Sequence, residues 1–123
     1  MKKSTVYCLI GLMATASAVH AVDRIVTTTA GTGAGSLTAA INALADGDTI
    51  KFAIPGAGPH FIQTPPDGYP LITKNDITID GYSQTGASPN TASIHSANNA
   101  VLKIVLTSTN GNALSMETAI NNS

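Results

Sequence analysis

The sequence predicts a mainly β protein with one helix. The 123 residues are rich in Thr, Ala, Gly, Asn and Ile, a composition that favours short strands and turns over long helices. Several segments alternate apolar and polar residues with the two-residue period of a strand, and one segment, 36–47, has the period of a helix. A chain of this length forms one domain at most.

Short strands are predicted between turn signals. Segment 48–56 places Ile50, Phe52 and Ile54 on one face and ends at Pro55-Gly56, while 100–108 is the longest candidate, with Leu102, Ile104 and Leu106 on one face. The other candidates are 24–29, 60–64, 71–73, 77–80 and 113–116. Strands this short need many neighbours, so a sandwich, a barrel and a solenoid all remain open.

The helix is predicted to be amphipathic and about two and a half turns long. Ser36 is a natural N-cap and Gly47 a natural C-terminal stop. The apolar residues on its one face are Leu37, Ala40, Ile41 and Leu44.

Residues 1–21 have the layout of a secretory signal peptide. A charged start is followed by an apolar stretch, 6–16, and by small residues that end at Ala21. Cleavage is predicted after Ala21, with a cut after Ala18 as the rival. The apolar stretch is well short of the roughly 20 residues of a membrane span. The mature domain is therefore 22–123, and we expect export to the cell surface or the extracellular space, with the periplasm as an alternative.

The composition of the mature chain excludes several kinds of site. Cys8 lies in the predicted leader, so residues 22–123 contain no thiol for a disulfide, a nucleophile or a metal. Those residues carry four basic and seven acidic side chains, and the whole chain has 4% aromatic residues and no Trp. A basic or aromatic surface for nucleic acid is therefore not expected.

A nucleotide site is also not expected. Strand, Gly-rich segment 30–35 and helix follow one another as in a dinucleotide-binding fold. However, Ser36 or Thr38 stands where the third glycine of that motif belongs, and the next strand lacks the acid that binds a ribose. No Gly-Lys-Ser/Thr sequence is present either.

The acidic residues allow two alternatives to a structural role. Asp46 and Asp48 flank Gly47 and could contact calcium, but a calcium site needs six or more oxygen ligands, so a helix-to-strand turn is favoured. Asp76 and Asp80 could form a carboxylate pair of the kind that hydrolyses glycosides. No third partner accompanies them in the sequence.

Asp80-Gly81 lies at the end of a predicted strand. Asp80 could be a catalytic carboxylate there, or the two residues could form a turn. A turn is favoured, with Gly81 adopting an unusual backbone angle and Asp80 bonding nearby N–H groups. His60 and His95 lack metal-ligand spacing, and no G-x-S-x-G motif is present. Loop 83–99 is interpreted as solvated. The sequence therefore predicts no catalytic, cofactor-binding or metal-binding residue.

Three segments carry a resemblance to a known class of proteins. They are VTTTAGTGAGSLTAAINA (26–43), GDTIKFAIPGAGPHFI (47–62) and LITKNDITIDGYSQTGASPNT (71–91). In this order they resemble the N-terminal region of secreted bacterial right-handed parallel β-helix proteins, a class that includes autotransporter-like and surface-anchored proteins. The match covers residues 26–106. Thr38 departs from the pattern, since arginine is commoner there.

The resemblance implies the start of a right-handed parallel β-helix, a solenoid whose first coil is capped by the amphipathic helix. Ile77 and Ile79 would face inward, ahead of the Asp80-Gly81 turn. Because solenoids need about three or more repeats, we expect the piece to be truncated, with downstream coils of the same chain beyond Ser123 as its main partner.

Two functions follow from the resemblance. In the first, the chain is a non-catalytic, adhesin-like or structural segment of a surface protein. In the alternative, it begins a carbohydrate-active enzyme, a polysaccharide lyase or glycoside hydrolase, whose catalytic residues lie beyond Ser123. An extracellular polysaccharide or a cell-surface molecule would be the ligand. The non-catalytic function is favoured because residues 1–123 show no cluster of acids and bases.

Overall fold

The computed structural model describes residues 20–110 and 112–116, in which strands outweigh helix. The elements are β1 (Asp23–Val26), α1 (Leu37–Asn42), β2 (Thr49–Phe52), β3 (His60–Gln63), β4 (Thr78–Asp80) and β5 (Ile104–Thr107). Within the described ranges, no helix has the length and apolarity to cross a membrane.

All strand pairs between these elements are parallel. One sheet has the order β1-β2-β4, and a second pairs β3 with β5. In the first sheet Ile50 lies between Arg24 and Ile79, and in the second Ile62 lies beside Leu106. A single parallel bridge joins Ile72 to Met116. The first pass of the chain contains β2, β3 and Ile72, and the second contains β4, β5 and Met116. The second pass pairs with the first in the same order and in parallel at all three places.

The core lies on one face of these strands. Ile50, Phe52 and Ile54 are buried, which confirms the inward face predicted for 48–56. The opposite face of β2 carries Lys51, whose Nζ is 2.7 Å from the carboxylate of Asp23. The other buried apolar residues are Val26, Leu37, Ala40, Ile41, Leu44, Ile62, Tyr69 and Ile72.

Helix α1 is shorter than predicted, because it ends at Asn42 and has six residues. The Ser36 cap is confirmed: its hydroxyl accepts from the N–H of Ala39 at 3.2 Å. The early end has a local cause. Asp48 accepts from the N–H of Ala45 and donates its own N–H to the Ala45 carbonyl, which holds the chain in a turn. Gly47 serves this turn, with φ +85°, and does not end the helix.

The helix nevertheless buries the predicted residues. Leu37, Ala40 and Ile41 lie on its inner face, and Leu44 is buried just beyond its end. These side chains belong to the same apolar cluster as the inward residues of β2 and β3. The apolar pattern therefore identified the buried residues correctly, although the helical hydrogen bonding stops early.

Several strand predictions were too long, and two of them also misplaced residues. The strand predicted over 24–29 ends at Val26, because the N–H of Thr27 bonds the carbonyl of Gly35 instead of a strand. In 100–108, Ile104–Thr107 is the part that pairs in a sheet, while Val101 forms an isolated antiparallel bridge with Ser88. Leu102 is 65% exposed, so the inward face predicted for it is wrong.

Of the two isoleucines predicted to face inward, Ile77 packs against the core and Ile79 is partly exposed. Ile77 is partly buried and packs against the core. Ile79 occupies the same register position as fully buried Ile50 but is 36% exposed. Ile79 lies on β4, an outer strand of this sheet, and no described strand pairs with the far side of β4.

The parallel register predicts a specific cross-link. Thr49 and Thr78 are paired, and neighbouring strands lie about 4.8 Å apart, within disulfide range. The double variant Thr49→Cys/Thr78→Cys should form a disulfide in the folded protein, seen as a loss of two free thiols. Thr49→Cys/Asp80→Cys, which is out of register by two residues, is the control and should keep both thiols. Equal cross-linking of the two variants would contradict the register.

Candidate functional site

The structure places Asp80 in a turn. Its Oδ1 accepts from the N–H groups of Tyr82 at 3.0 Å and Ser83 at 3.2 Å, which caps the 3-10 turn Gly81–Ser83. The predicted bonding of Asp80 to the nearby backbone is therefore confirmed. The role predicted for Gly81 is wrong, because its φ is not positive. A 3-10 turn keeps ordinary right-handed angles, so no special freedom is needed there.

Two polar residues after this turn bind the backbone of the central strand. Ser83 Oγ accepts from the N–H of Phe52 at 2.8 Å. The side-chain amide of Gln84 accepts from the N–H of Ile54 and donates to its carbonyl, both at 2.8 Å. Gln84 is 2% exposed. Beyond the end of β4, these side chains supply the hydrogen bonds that a neighbouring strand would otherwise make. The backbone groups of Phe52 and Ile54 therefore stay paired.

The role of Gln84 was missed by reasoning from the sequence, which placed it in a solvated loop. The sequence did contain one signal, because Gln84 ends the ITIDGYSQ stretch that carries the resemblance. Its second contact is with His60, whose Nε2 lies 3.4 Å from the Gln84 Nε2. His60 is thereby part of the packing at the start of β3.

Asp48 is the most enclosed charged group in the described part of the chain. Its Oδ1 accepts from the N–H of Val22 at 2.8 Å, and its Oδ2 accepts from Ala45 N–H at 2.9 Å and Arg24 Nε at 2.8 Å. The side chain of Asp48 is fully buried, and that of its ion-pair partner Arg24 is 29% exposed. The N–H groups of Ala45 and Val22, followed by Arg24, hold the pKa of Asp48 below its usual value, against the opposing effect of burial.

The remaining predicted candidates are dispersed. Asp46 accepts from the N–H of Asn75 at 2.9 Å, so the two carboxylates around Gly47 bind different backbone groups. Asp76 is exposed with φ 56°, and His95 is exposed in the loop after the 3-10 turn. Across residues 20–110 and 112–116, no three His, Cys, Asp or Glu side chains are grouped as metal ligands. The turn interpretation of 46–48 is confirmed by the hydrogen bonds of this segment.

The Gly-rich segment before α1 is closed by its own hydrogen bonds. The Ser36 hydroxyl donates to the Gly33 carbonyl, and the Thr38 hydroxyl donates to the Gly31 carbonyl, both at 2.6 Å. Gly35 is needed for space, because a Cβ there would lie 2.4 Å from Thr27 Oγ1. These two hydroxyls bind the loop to the start of the helix. Ser36 and Thr38, which stand where a dinucleotide-binding motif would have its third glycine, therefore have a structural role.

A polar groove was not predicted from the sequence. It runs beside the turn at Pro65 and Pro66 and has two adjoining cavities of about 400 and 250 Å³. Its described lining is mostly neutral, with one carboxylate, Asp67. The other lining residues are Gly31, Thr32, Gln63, Thr64, Gly68, Tyr69, Ser108, Thr109, Asn110, Asn112, Ala113 and Ser115. Hydroxyl and amide groups suit this groove to hydrogen bonding with a neutral polar ligand.

Tyr69 and Thr64 form the inner wall of the groove. Both are buried, and burial raises the pKa of Tyr69. The Thr64 hydroxyl lies close to Tyr69 and lowers the pKa of Tyr69 against this rise. It makes no hydrogen bond of standard geometry. Thr64 Oγ1 is thus a buried polar atom with unused bonding capacity beside the groove.

A second distinctive surface is the outer edge formed by β4, β5 and Met116. Residues on this edge are much more exposed than the residues with which they pair in the sheets. Ile50 and Ile72 are 0% and 2% exposed, whereas their partners Ile79 and Met116 are 36% and 59% exposed. Leu106 on β5 is likewise half-buried beside fully buried Ile62. This edge therefore presents an apolar row that matches the buried row beneath it.

No protein-family model, no curated protein and no solved structure matches this chain.

The pairing of Gln84 with Ile54 predicts a measurable stability effect. Gln84→Ala leaves a buried N–H and a buried carbonyl unpaired, so the free energy of unfolding should fall by about 2 kcal/mol. Urea unfolding of the full-length chain measures it. Thr85→Ala, at the exposed neighbouring position, is the matched control and should change stability by about 0.5 kcal/mol or less. Equal effects of the two substitutions would contradict the role assigned to Gln84.

Proposed function

We propose that the chain is the N-terminal capping region and the first coils of a right-handed parallel β-helix in an exported, extracellular or cell-surface protein, and that its own role is structural. The observation that carries this proposal is the repeated parallel contact. The segment that contains β2, β3 and Ile72 lies against the segment that contains β4, β5 and Met116, with the same order and direction at all three positions. This is the arrangement expected of two stacked coils.

The position of the helix supports a capping role. Helix α1 connects β1 to β2, and its apolar face joins the cluster formed by Val26, Ile50 and Ile62. A parallel connection of this kind is right-handed in nearly all proteins. The proposed cap would keep water from the first coil, whose apolar interior would otherwise be exposed.

The opposite edge supports the presence of a further coil. The row formed by Ile79, Leu106 and Met116 repeats the pattern of the buried row below it, yet it is partly or largely exposed. The surface that complements a parallel strand edge with inward apolar residues is another coil of the same kind. We therefore assign this edge to downstream coils of the same polypeptide.

Export is proposed from the sequence of residues 1–21, most of which lie outside the described residues. The leader pattern is the observation that supports export. A surface or adhesin-like protein is the class favoured, because the described carboxylates and histidines are dispersed, and Asp46, Asp80 and His60 contact groups that belong to the framework of the fold.

The polar groove favours a second candidate, the start of a carbohydrate-active enzyme. Its hydroxyl and amide lining and the unused Thr64 Oγ1 are suited to a neutral polar chain such as a polysaccharide. Asp67 is the one carboxylate of the described lining, whereas glycoside hydrolysis uses a pair. Cleavage of a polysaccharide by the exported protein would favour this candidate over the structural one.

Export has a direct test. The full-length chain should leave the cytosol of an exporting bacterial host and be recovered without residues 1–21, as measured by fractionation and intact mass. Replacing Lys2 and Lys3 by Glu, which removes the positive start of the leader, should reduce the exported fraction several-fold. The matched control is Lys74→Glu, an exposed position in the mature domain. Full-length wild-type protein retained in the cytosol would contradict export.

The exposed apolar row of Ile79, Leu106 and Met116 predicts that the 123-residue chain associates with itself. Exposed apolar strand edges pair with other chains, and a lysine on such an edge prevents this. Ile79→Lys should therefore lower the sedimentation coefficient at high concentration towards that of a monomer. Ile94→Lys is the control, since Ile94 is 92% exposed in a loop and should not change association. A wild-type chain that is monomeric and unfolds cooperatively would contradict an open end.

A further inference from the structure

The first strand begins at a buried carboxylate. Val22 donates its N–H to Asp48 Oδ1 at 2.8 Å, and its carbonyl accepts from the N–H of Thr49 at 3.0 Å. Val22 is therefore the first residue whose nitrogen and carbonyl oxygen are both held by the segment that leads into β2. His20 and Ala21, immediately before it, are exposed.

Asp48 has more bonding partners than a turn requires. Its Oδ2 is occupied by Ala45 N–H and Arg24 Nε, and these contacts satisfy the turn and the ion pair. Its Oδ1 is directed at the nitrogen of Val22. The Oδ1 atom of this fully buried carboxylate therefore accepts from the Val22 nitrogen alone, and an amide N–H is a single neutral donor.

We infer that Asp48 is the binding site for the α-ammonium group that cleavage of the Ala21–Val22 peptide bond creates. This inference rests on the proposed export. A leader-removing peptidase and water supply the reaction: hydroxide adds to the Ala21 carbonyl carbon and the C–N bond breaks. The Val22 nitrogen takes the remaining proton of water and the proton released when the new Ala21 carboxyl ionises.

The product replaces a neutral donor by a cationic one at the same place. A positively charged nitrogen then donates one of its N–H bonds to Asp48 Oδ1, and charge-assisted hydrogen bonds are about twice as strong as neutral ones. His20 and Ala21 are both exposed, so removing the residues before Val22 takes little of these two side chains out of the packed structure. Processing therefore locks the first strand onto the segment that precedes β2.

The geometry also distinguishes the two cleavage positions that the sequence left open. A cut after Ala18 would leave Val19, His20 and Ala21 ahead of the strand and put the ammonium group three residues away from Asp48. A cut after Ala21 puts it at the position that Asp48 already contacts. The structure thus assigns the functional N-terminus to Val22.

Other charged groups near this site have their own partners. Arg24 on β1 is paired with Asp48 itself, and Asp46 in the same turn accepts from Asn75 N–H. Asp23 faces outward and is paired with Lys51 on β2. The titration of the amine should therefore report mainly on Asp48, with Arg24 opposing it as a like charge.

The test uses the full-length gene expressed in an exporting host. The exported wild-type protein should begin at Val22 by intact mass. The pKa of its amine, taken from acylation rates across pH, should lie at least about one unit above the usual 7.7–8.0, which is tenfold tighter proton binding. Inserting one Gly between Ala21 and Val22 moves the amine by one residue, leaves every side chain in place, and should restore the usual pKa.

Substitutions identify the carboxylate. Asp48→Asn should abolish the shift, whereas Asp46→Asn, two residues away and exposed, should retain it. If Asp48→Asn fails to fold, the comparison between wild type and the Gly insertion decides the question alone. Equal amine pKa values in those two proteins, or an exported chain that begins at Val19, would overturn the inference and leave export standing. Retention of the uncleaved chain would overturn both.

Discussion

The parallel pairing of β2 on both of its edges is the constraint on which the rest of the structure depends. This strand has β1 on one side and β4 on the other, so its four residues connect three passes of the chain. Ile50 and Phe52 point into the core at this position and are 0% and 2% exposed. Because a shift of one residue would turn Lys51 inward, burial fixes the register of all three strands.

Side chains extend the pairing of β2 at both of its ends. Before the strand, the Asp48 carboxylate bonds the nitrogen of Val22 and connects it to Arg24. Beyond the strand, Ser83 and Gln84 take over the backbone groups of Phe52 and Ile54 after β4 has turned away. A short strand of this kind is stable because the backbone groups at its ends are satisfied by neighbours far away in the sequence.

The two ends of the proposed stack are chemically different. Leu37 and Ile41 of the helix, with Leu44 just beyond it, belong to the apolar cluster, and the loop before the helix is closed by the hydroxyls of Ser36 and Thr38. At the other end the inward row of Ile79, Leu106 and Met116 is partly or largely exposed. This difference between the two sides is the reason for proposing that further coils extend the stack at the exposed row.

The sequence by itself determined the local features: the β-rich class, the Ser36 cap, the inward face of Ile50, Phe52 and Ile54, and the turn at Asp80. These depend on residues close in sequence, whose periodicity and side-chain hydrogen bonds can be read directly. The tertiary structure decided where the helix and the strands end, the exposure of Leu102 and Ile79, and the roles of Gln84 and Asp48. Each of those features depends on residues that are distant in the sequence. Such residues pair with a strand, donate to a carboxylate or cover an apolar side chain, and the local pattern does not identify them.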